Sequence, residues 1–240
     1  MDITKLTKPA RKALKLKKCG AVIVAAGSAS RMGGIDKILA PLDSQPVLLH
    51  TLRAFQECDA VAEVVVVTRE ELLEDVKKVA ALCPKVTQVV PGGKSRQESV
   101  EKGLYALSKD VKLAAIHDGA RPLVTWQLID RVVRAANTYG AAAPAIPVKD
   151  TIKTVSGGLV ANTPDRATLR AVQTPQVFDI DLIKGALLKA YQEEAQVTDD
   201  CSAVERLGMK IKIVEGEESN LKITTPLDLK IARMLLEESK

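Results

Sequence analysis

The sequence predicts an α/β protein with a Rossmann-like, mostly parallel sheet, helices on both faces and an inserted β-arm. Short runs of β-branched residues and alanine recur along the chain, which is typical of strands that are buried on both faces. Stretches in which apolar residues have helical spacing lie between these runs. Because strand and helix signals alternate, we expect parallel strands joined by right-handed helical crossovers.

Each predicted element rests on its own residue pattern. Strands are expected where apolar runs are continuous or nearly so, at residues 21–25, 63–68, 86–90, 112–116, 141–146 and 210–214. Helices are expected where apolar residues recur three or four apart, at residues 46–57, 70–82, 95–107, 125–139, 181–194 and 199–207 and after residue 226.

The alternation breaks at residues 147–177, a segment rich in proline, threonine, glycine and charged residues. Such a composition favours an excursion from the sheet. At roughly 150 residues per domain the chain has room for one or two domains, and a single interruption favours one domain with an inserted arm. We therefore predict a basic N-terminal extension at residues 1–20 and one domain at residues 21–240, with the arm at about 147–177.

Positive charge is concentrated at the N-terminus. Residues 1–20 contain seven Lys or Arg and one Asp, a balance of +6, whereas residues 21–240 contain 28 basic and 29 acidic residues. The near-neutral body argues against a nucleic-acid partner, since such binding needs positive charge along a phosphate track. The extension is interpreted as a frayed helix or a solubilising segment in preference to a contact with a polyanion.

Neither a membrane span nor a secretory signal is predicted. No apolar run approaches the length of a transmembrane helix, and no uninterrupted apolar stretch follows the N-terminal charges. The four cysteines lack CxxC spacing, which favours free thiols over zinc ligands or disulfides. We therefore expect a protein of the reducing cytoplasm with no membrane partner.

The loop after the first predicted strand, at residues 25–37, is a candidate phosphate site. It lies where open parallel sheets bind ligands, its small residues let backbone N–H groups approach a phosphate chain, and Arg31 and Lys37 supply positive charge. GxGxxG is absent, which disfavours a dinucleotide oxidoreductase. Residues 92–95 (GGKS) imitate the end of a P-loop, but Gln88 occupies the position of its first glycine.

The segment AAGSASRMG at residues 25–33, followed by Lys37, resembles the signature AAGxGxRMGxxxPKQ of sugar-phosphate nucleotidyltransferases. Over residues 21–238 the chain more closely resembles the 2-C-methyl-D-erythritol 4-phosphate cytidylyltransferase family of the non-mevalonate isoprenoid pathway. The segments that carry this closer resemblance are PGGKSRQESV (91–100), HDGARP (117–122), PVKDTIK (147–153), TPDR (163–166), QTPQVF (173–178), TDDCSAVE (198–205) and NLKITTPLDL (220–229). Ala29 replaces the usual second glycine of the signature, and Asp36 replaces the proline before the lysine.

The resemblance implies an enzyme that transfers CMP from CTP to 2-C-methyl-D-erythritol 4-phosphate with Mg²⁺ as cofactor, releasing pyrophosphate. A phosphate monoester is already anionic, so the reaction needs no general base, which agrees with the lack of an evident Ser/His or Cys/His pair. Catalysis would rest on positioning and on cations. Two alternatives stay open: a cytidylyltransferase for another polyol phosphate, such as ribitol 5-phosphate, and a binding protein with an inactive version of the fold.

The resemblance also implies the site residues. The catalytic cations are Arg31, Lys37 and Lys222. The CTP-binding residues are Ala25, Ala26, Gly27, Ser28, Gly93, Lys94, Arg96, Ser99 and Asp118. Asp118 is also the candidate for holding Mg²⁺, because hard cations take oxygen ligands. The acceptor-binding residues are Arg121 and, on the arm, Thr151, Arg166 and Thr174. The arm would reach a partner subunit in a homodimer.

Simpler structural roles are weighed for several of these residues. Ser95 and Glu98 have the spacing of a capping box at a helix start. Asp118 would act as a helix cap, and Arg166 as an exposed surface charge. His117 is interpreted as a packed structural residue, since a lone histidine beside a strand is more often buried than catalytic.

Overall fold

The computed structural model describes residues 15–27 and 36–238. Its strands are β1 Cys19–Ala25, β2 Pro41–Leu42, β3 Gln45–Pro46, β4 Val61–Thr68, β5 Val86–Pro91, β6 Leu113–Asp118, β7 Ala141–Pro147, β8 Thr154–Ser156, β9 Leu159–Asn162, β10 Arg170–Val172, β11 Gln176–Asp179 and β12 Lys212–Glu215. Its α-helices are α1 Val47–Glu57, α2 Leu73–Ala80, α3 Arg96–Ala106, α4 Trp126–Tyr139, α5 Ile180–Gln192, α6 Asp200–Glu205 and α7 Pro226–Glu238.

A central sheet of eight strands has the order β10-β7-β11-β6-β1-β4-β5, and β12 pairs with β7. The pairs β6–β1, β1–β4, β4–β5 and β7–β12 are parallel, whereas β10 and β11 run antiparallel to their neighbours. The carboxyl ends of β5, β4, β1 and β6 therefore meet at one edge of the sheet, which is where such sheets bind ligands.

Helices cover both faces of the sheet because side chains alternate along each strand. In β1, Ala21 and Ile23 pack into one core cluster with α1 and α4, while Val22 packs into a second cluster with α3, α5 and α6. The predicted mostly parallel α/β fold with helices on both faces is thus confirmed. Several elements differ from their predicted bounds. Residues 70–82 begin as a 3-10 turn at Glu70–Leu72, β4 begins earlier at Val61, and the last strand begins later at Lys212.

The predicted boundary of the N-terminal extension at residue 20 is too late. Cys19 is fully buried in β1. The backbone N–H of Lys17 donates to Asn137 Oδ1 at 3.0 Å, and the carbonyl of Lys18 accepts from the N–H of Lys112 at 2.9 Å. The domain therefore already includes residues 17–20, and the remainder of the extension, residues 1–14, lies outside the described residues.

The inserted arm contains a two-stranded hairpin of β8 and β9. Gly157 and Gly158 connect the strands with φ of 57° and 80°, the left-handed conformations that a tight two-residue hairpin turn requires. The predicted arm boundary at residue 177 is wrong, because β10 and β11 have already returned to the central sheet. The segment that leaves the central sheet is therefore shorter than residues 147–177.

Among the described residues, no helix has the length and apolar character needed to cross a membrane. The four cysteines are buried and free, as their spacing predicted. The cytoplasmic location stays a prediction.

Candidate active site

A pocket of about 360 Å³ opens at the carboxyl edge of the parallel strands. Its walls come from the end of β1, the turn after residue 36, the start of α3, the end of β6 and the loop before α7. The lining residues are Val24, Ala25, Ala26, Gly27, Lys37, Ile38, Gly93, Lys94, Ser95, Arg96, Ser99, Asp118, Ala120 and Lys222. Segments that are far apart in sequence therefore meet at one cation-rich cavity.

Most of the nucleotide-binding residues predicted from sequence line this pocket. They are Ala25, Ala26, Gly27, Lys37, Gly93, Lys94, Arg96, Ser99, Asp118 and Lys222. Ser28 and Arg31 lie outside the described residues. The pocket also takes in Ser95 and the apolar residues Val24, Ile38 and Ala120, which carry no chemical signal in the sequence.

Asp118 ends β6 and is the acidic side chain of the pocket wall. Its Oδ2 accepts from Lys222 Nζ at 3.0 Å and lies 3.4 Å from Arg121 Nε. Burial alone would raise the pKa of Asp118, but the positive charges of Lys222, Arg121 and Arg96 outweigh that effect and lower it to about 2. Asp118 is therefore ionised at neutral pH and holds the Lys222 ammonium at the pocket.

A buried hydrogen-bond chain supports Asp118 from behind. Thr174 Oγ1 accepts from the backbone N–H of Asp118 at 3.2 Å and lies 3.0 Å from His117 Nδ1. Burial lowers the pKa of His117 to about 3, so the imidazole is neutral. The Thr174 hydroxyl then donates to Nδ1, while Nε2 faces the Arg121 carbonyl at 3.5 Å. His117 has the structural role that its position predicted.

Thr174 lies in the body of the domain and not on the projecting hairpin, whereas its predicted acceptor-binding role stays a prediction. Thr174 is only 4% exposed and lies between β10 and β11, in the body of the domain. Its hydroxyl is occupied by His117 and by the Asp118 N–H. Within this chain Thr174 therefore supports the pocket wall and does not reach the cavity.

Arg121 connects the two segments that carry Asp118 and Lys222. Its Nη1 donates to the Asn220 carbonyl at 2.6 Å, and Asn220 Nδ2 donates to the Thr174 carbonyl at 2.9 Å. The N–H of Ile223 also donates to the Ala120 carbonyl at 2.8 Å. Arg121 was predicted to bind the acceptor, but its guanidinium is largely buried and engaged in this bracing network.

Arg96 is held by a carboxylate that the sequence analysis did not single out. Its Nη1 and Nη2 donate to the two oxygens of Asp200 at 2.9 and 2.6 Å, and the Asp200 side chain is 1% exposed. Burial raises the pKa of Asp200, although Arg96 opposes this shift. The motif TDDCSAVE contained the signal for Asp200, but nothing in it identified Arg96 as the partner.

The start of α3 shapes the wall next to Arg96. Ser95 caps the helix by accepting from the Glu98 N–H at 3.1 Å, as its spacing predicted. Glu98 Oε2 accepts from the Lys94 N–H at 2.8 Å, one residue earlier than in a standard capping box. Ser99 Oγ accepts from the Gly93 N–H at 3.1 Å. A Cβ on Gly93 would lie 2.3 Å from Glu98 Cβ, so glycine is required for this close approach.

Lys37 enters the pocket from a short turn opposite α3. A Cβ built on Gly27 would lie 3.8 Å from Lys37 Nζ, which places the ammonium over the end of β1. The turn is fastened to the start of α1, because Leu48 and Val47 donate their N–H groups to the carbonyls of Ile38 and Ala40, both at 3.0 Å. Lys37 and Lys222 thus face the same cavity from different parts of the chain.

The predicted acceptor residues Thr151 and Arg166 do not line this pocket. Both are exposed, and Arg166 Nη1 donates to the Lys149 carbonyl at 2.6 Å. Arg166 instead lines a separate shallow groove on the arm together with Lys149 and Arg170. One chain therefore does not bring these arm residues to Lys37 and Lys222.

The donor set of the pocket fits a divalent cation only if phosphate oxygens complete the coordination. The described residues contain no cluster of three or more His, Cys, Asp or Glu side chains suited to a metal. Asp118 is ionised, and both of its cation contacts are made by Oδ2. Mg²⁺ is commonly held by one or two carboxylates together with substrate phosphates, so Asp118 is compatible with that arrangement.

Comparison with known proteins identifies the family. The family model described as IspD, 2-C-methyl-D-erythritol 4-phosphate cytidylyltransferase, matches residues 19–238. Enzymes of this name from Caldanaerobacter subterraneus subsp. tengcongensis and Halalkalibacterium halodurans are 44% and 46% identical over 221 and 222 residues. These alignments cover 90% and 91% of this chain and 97% of each relative.

A solved structure agrees with the sequence comparison. The crystal structure of 4-diphosphocytidyl-2C-methyl-D-erythritol synthase from Anaerococcus prevotii DSM 20548 superposes with a TM-score of 0.85 at 31% identity. The alignment covers 93% of this chain and 100% of that chain. The ordered motifs, the pocket at the carboxyl edge of the sheet and these matches agree: this chain belongs to the 2-C-methyl-D-erythritol 4-phosphate cytidylyltransferase family.

Proposed function

We propose that this chain transfers CMP from CTP to 2-C-methyl-D-erythritol 4-phosphate, forming 4-diphosphocytidyl-2-C-methyl-D-erythritol and pyrophosphate. The observation that carries the proposal is the convergence of Lys37 and Lys222 on one pocket whose wall holds an ionised Asp118. Family membership supplies the substrates. The alternative acceptor, another polyol phosphate such as ribitol 5-phosphate, is not favoured by any of the relatives described above.

The reaction needs charge stabilisation more than proton transfer. An oxygen of the acceptor phosphate forms a bond to the α-phosphorus of CTP while the bond to the oxygen bridging the α- and β-phosphates breaks. Pyrophosphate leaves with that electron pair. Negative charge accumulates on the α-phosphate oxygens, where Lys37 and Lys222 stabilise it.

The start of α3 is proposed to read the cytosine. Gly93, Lys94, Arg96 and Ser99 lie together on the wall opposite Lys37, and Asp200 fixes the Arg96 guanidinium by a bidentate contact. A rigid set of donors and acceptors discriminates bases, because the wrong base leaves buried polar groups unpaired. The base would thus bind between the end of β1 and α3.

Asp118 is proposed to hold Mg²⁺ together with the phosphates of CTP. The bound metal would neutralise phosphate charge and orient the triphosphate for attack. Lys222 contacts Asp118 Oδ2, so the carboxylate that would hold the metal also holds the ammonium proposed to face the α-phosphate.

A panel of acceptors tests this function. The purified chain is incubated with CTP and Mg²⁺ together with 2-C-methyl-D-erythritol 4-phosphate or ribitol 5-phosphate, and pyrophosphate release is measured. We expect turnover with the first acceptor and little with the second. Turnover with ribitol 5-phosphate alone would overturn the acceptor assignment while leaving the cytidylyltransferase assignment intact.

We further propose that the chain acts as a homodimer in which Thr151 and Arg166 complete the acceptor site of the partner subunit. Both side chains are exposed and absent from the pocket lining, which supports this arrangement. Val155, Leu159 and Val160 on the hairpin are 61%, 76% and 62% exposed, an apolar surface suited to a second protein chain.

Mixing two inactive variants tests the composite site. A Lys222→Ala chain and an Arg166→Ala chain each lack one half of the site, but a mixed dimer contains one intact site. Statistical exchange should restore about a quarter of the wild-type rate. If the subunits are shown to exchange but activity does not recover, the composite site is wrong. Arg166 and Lys222 would then act in the site of one subunit, or they would not both take part in the reaction.

A further inference from the structure

A carboxylate lies directly beside Lys37, which is proposed to stabilise the α-phosphate together with Lys222. Asp36 precedes Lys37, and its side chain is only 17% exposed. Its Oδ1 accepts from the Ile38 N–H at 2.8 Å, a hydrogen bond that spans Lys37 and shapes the turn from which Lys37 projects. Asp36 is also where the sequence departs from the proline of the nucleotidyltransferase signature.

The second oxygen of Asp36 forms an ion pair with Arg69. The Arg69 guanidinium donates to Asp36 Oδ2 through Nη2, while its Nε lies 3.3 Å from Glu71 Oε1. Arg69 directly follows β4 and is 26% exposed. The ion pair therefore ties the Lys37 turn to the carboxyl edge of the central sheet, 33 residues away in sequence.

The two charges of this pair have opposite consequences for a polyanionic ligand. A carboxylate next to Lys37 repels a triphosphate, and this repulsion is stronger where the side chain is partly buried and poorly screened. Arg69 cancels the charge of Asp36. The turn thereby keeps the Oδ1 hydrogen bond that orients Lys37 without presenting a net negative charge to the ligand.

We propose that Arg69 is a positioning residue for nucleotide binding, which acts through Asp36 by neutralising its carboxylate and fixing the turn that directs Lys37 into the pocket. The proposal rests on the proposed function, because it assigns a triphosphate to the Lys37 side of the pocket. It adds a charge pair whose two residues are not part of the pocket lining.

Charge compensation makes a specific prediction about double variants. Arg69→Gln leaves the Asp36 carboxylate without its partner, so the triphosphate meets an uncompensated negative charge. Asp36→Asn keeps an oxygen for the Ile38 N–H and removes the charge, so it should be the milder change. The combination should then resemble Asp36→Asn alone, since no uncompensated carboxylate remains. If the two residues contributed only packing, the double variant would be worse than either single variant.

The experiment measures CTP KM and kcat for the wild type, Asp36→Asn, Arg69→Gln and the double variant. Lys78→Gln, which removes the exposed ion pair with Asp75, is the matched surface control. We expect Arg69→Gln to raise the KM for CTP about tenfold, within the range of coupling between contacting residues, and the double variant to regain most of that loss. The Arg69→Gln defect should shrink as salt rises, because screening weakens the repulsion. Thermal unfolding of each variant reports whether it is folded.

A second readout separates this inference from the proposed reaction. Affinity for inorganic triphosphate, measured by calorimetry without acceptor, should follow the same order of variants. Suppose that the triphosphate affinities of the wild type and the variants follow this order, but the wild type does not turn over the proposed acceptor. The acceptor assignment then fails, and the role of Arg69 stands. An unchanged KM and affinity in Arg69→Gln, or a double variant as impaired as Arg69→Gln, would overturn the role of Arg69.

Discussion

The pocket and the arm differ in how their charged side chains are held. In the pocket, Asp118 receives Lys222 at 3.0 Å, and Arg96 contacts both oxygens of a buried Asp200. On the arm, Arg166 donates to a backbone carbonyl, and the ion pair that Lys149 forms with Glu218 is exposed on both sides. Buried charges interact strongly and in fixed geometry, whereas exposed pairs contribute little.

This contrast indicates which half of the reaction one chain prepares. The described residues of the nucleotide side, such as Asp118, Lys222 and Arg96, have their charge partners within the same domain. The arm residues have mainly local contacts, and their apolar neighbours face outward. The proposed homodimer would supply the acceptor side from a second chain, and changes to the pocket and to the arm should therefore have different effects.

The largest effect is expected from removing a pocket cation. Lys37→Ala and Lys222→Ala should each lower kcat by about 10²–10³, the usual cost of losing one group that stabilises transition-state charge. Steady-state pyrophosphate release measures the effect, and Lys230→Ala on the exposed face of α7 is the control. Near-normal rates in both variants would show that the two lysines of this pocket do not take part in the reaction.

The next effect concerns the buried histidine behind the pocket. Burial lowers the His117 pKa from 6.5 to about 3, so below pH 6.5 the unfolded chain binds a proton that the folded chain refuses. Stability from this group is complete above pH 6.5 and is lost as the pH falls toward 3, with a loss of about 3 kcal/mol between pH 6.5 and 4. Urea unfolding from pH 7 to 4 should show a steeper loss for the wild type than for His117→Gln.

The histidine prediction has a matched control. The control variant is His50→Gln, which replaces the other histidine, whose Nε2 lies 2.8 Å from the Leu42 carbonyl. Asp118 contributes in the same direction at lower pH, because its pKa is lowered to about 2 and its stabilising effect is lost as it protonates. Equal slopes for the wild type and His117→Gln would show that His117 does not carry the acid sensitivity.

A smaller effect is expected from the Thr174 hydroxyl. Thr174→Val leaves the Asp118 N–H and His117 Nδ1 unpaired, at a cost of about 1–3 kcal/mol, and should lower kcat about tenfold by loosening Asp118. Thr174→Ser keeps the hydroxyl and should restore kcat. If Thr174→Ser is as impaired as Thr174→Val, the methyl group is the important part and the hydrogen bonds are not.

The smallest effect on the pocket is expected from the hairpin. Leu159 and Val160 are exposed within one chain, so replacing both with serine should change its unfolding free energy by less than about 0.5 kcal/mol per residue. CTP affinity should stay within twofold of the wild type, while sedimentation should show weaker association. Loss of CTP affinity together with association would mean that the nucleotide side also depends on the partner chain.

Features of the site that lie within one motif could be predicted, whereas contacts between residues far apart in sequence could not. Lys37, Asp118 and Lys222 were recognised because each lies in a matched motif, and the pocket brings them together. The pairing of side chains within the site was not predicted. Asp200 is 104 residues from Arg96, and Thr174 is 57 residues from His117, so no local pattern links the members of either pair.

The fold class, the order of most strands and helices and the motif residues Lys37, Asp118 and Lys222 could be predicted from the chain alone, because periodicity and motif spacing are local properties. The sequence did not indicate that Thr174 lies in the body of the domain or that Arg121 braces the segment before α7, and the acceptor-binding roles of both residues stay predictions. The compensation of charges, as in the pairs of Arg96 with Asp200 and Arg69 with Asp36, became visible only in the folded domain. Compensation depends on burial and distance, which arise only when the sheet aligns its carboxyl ends.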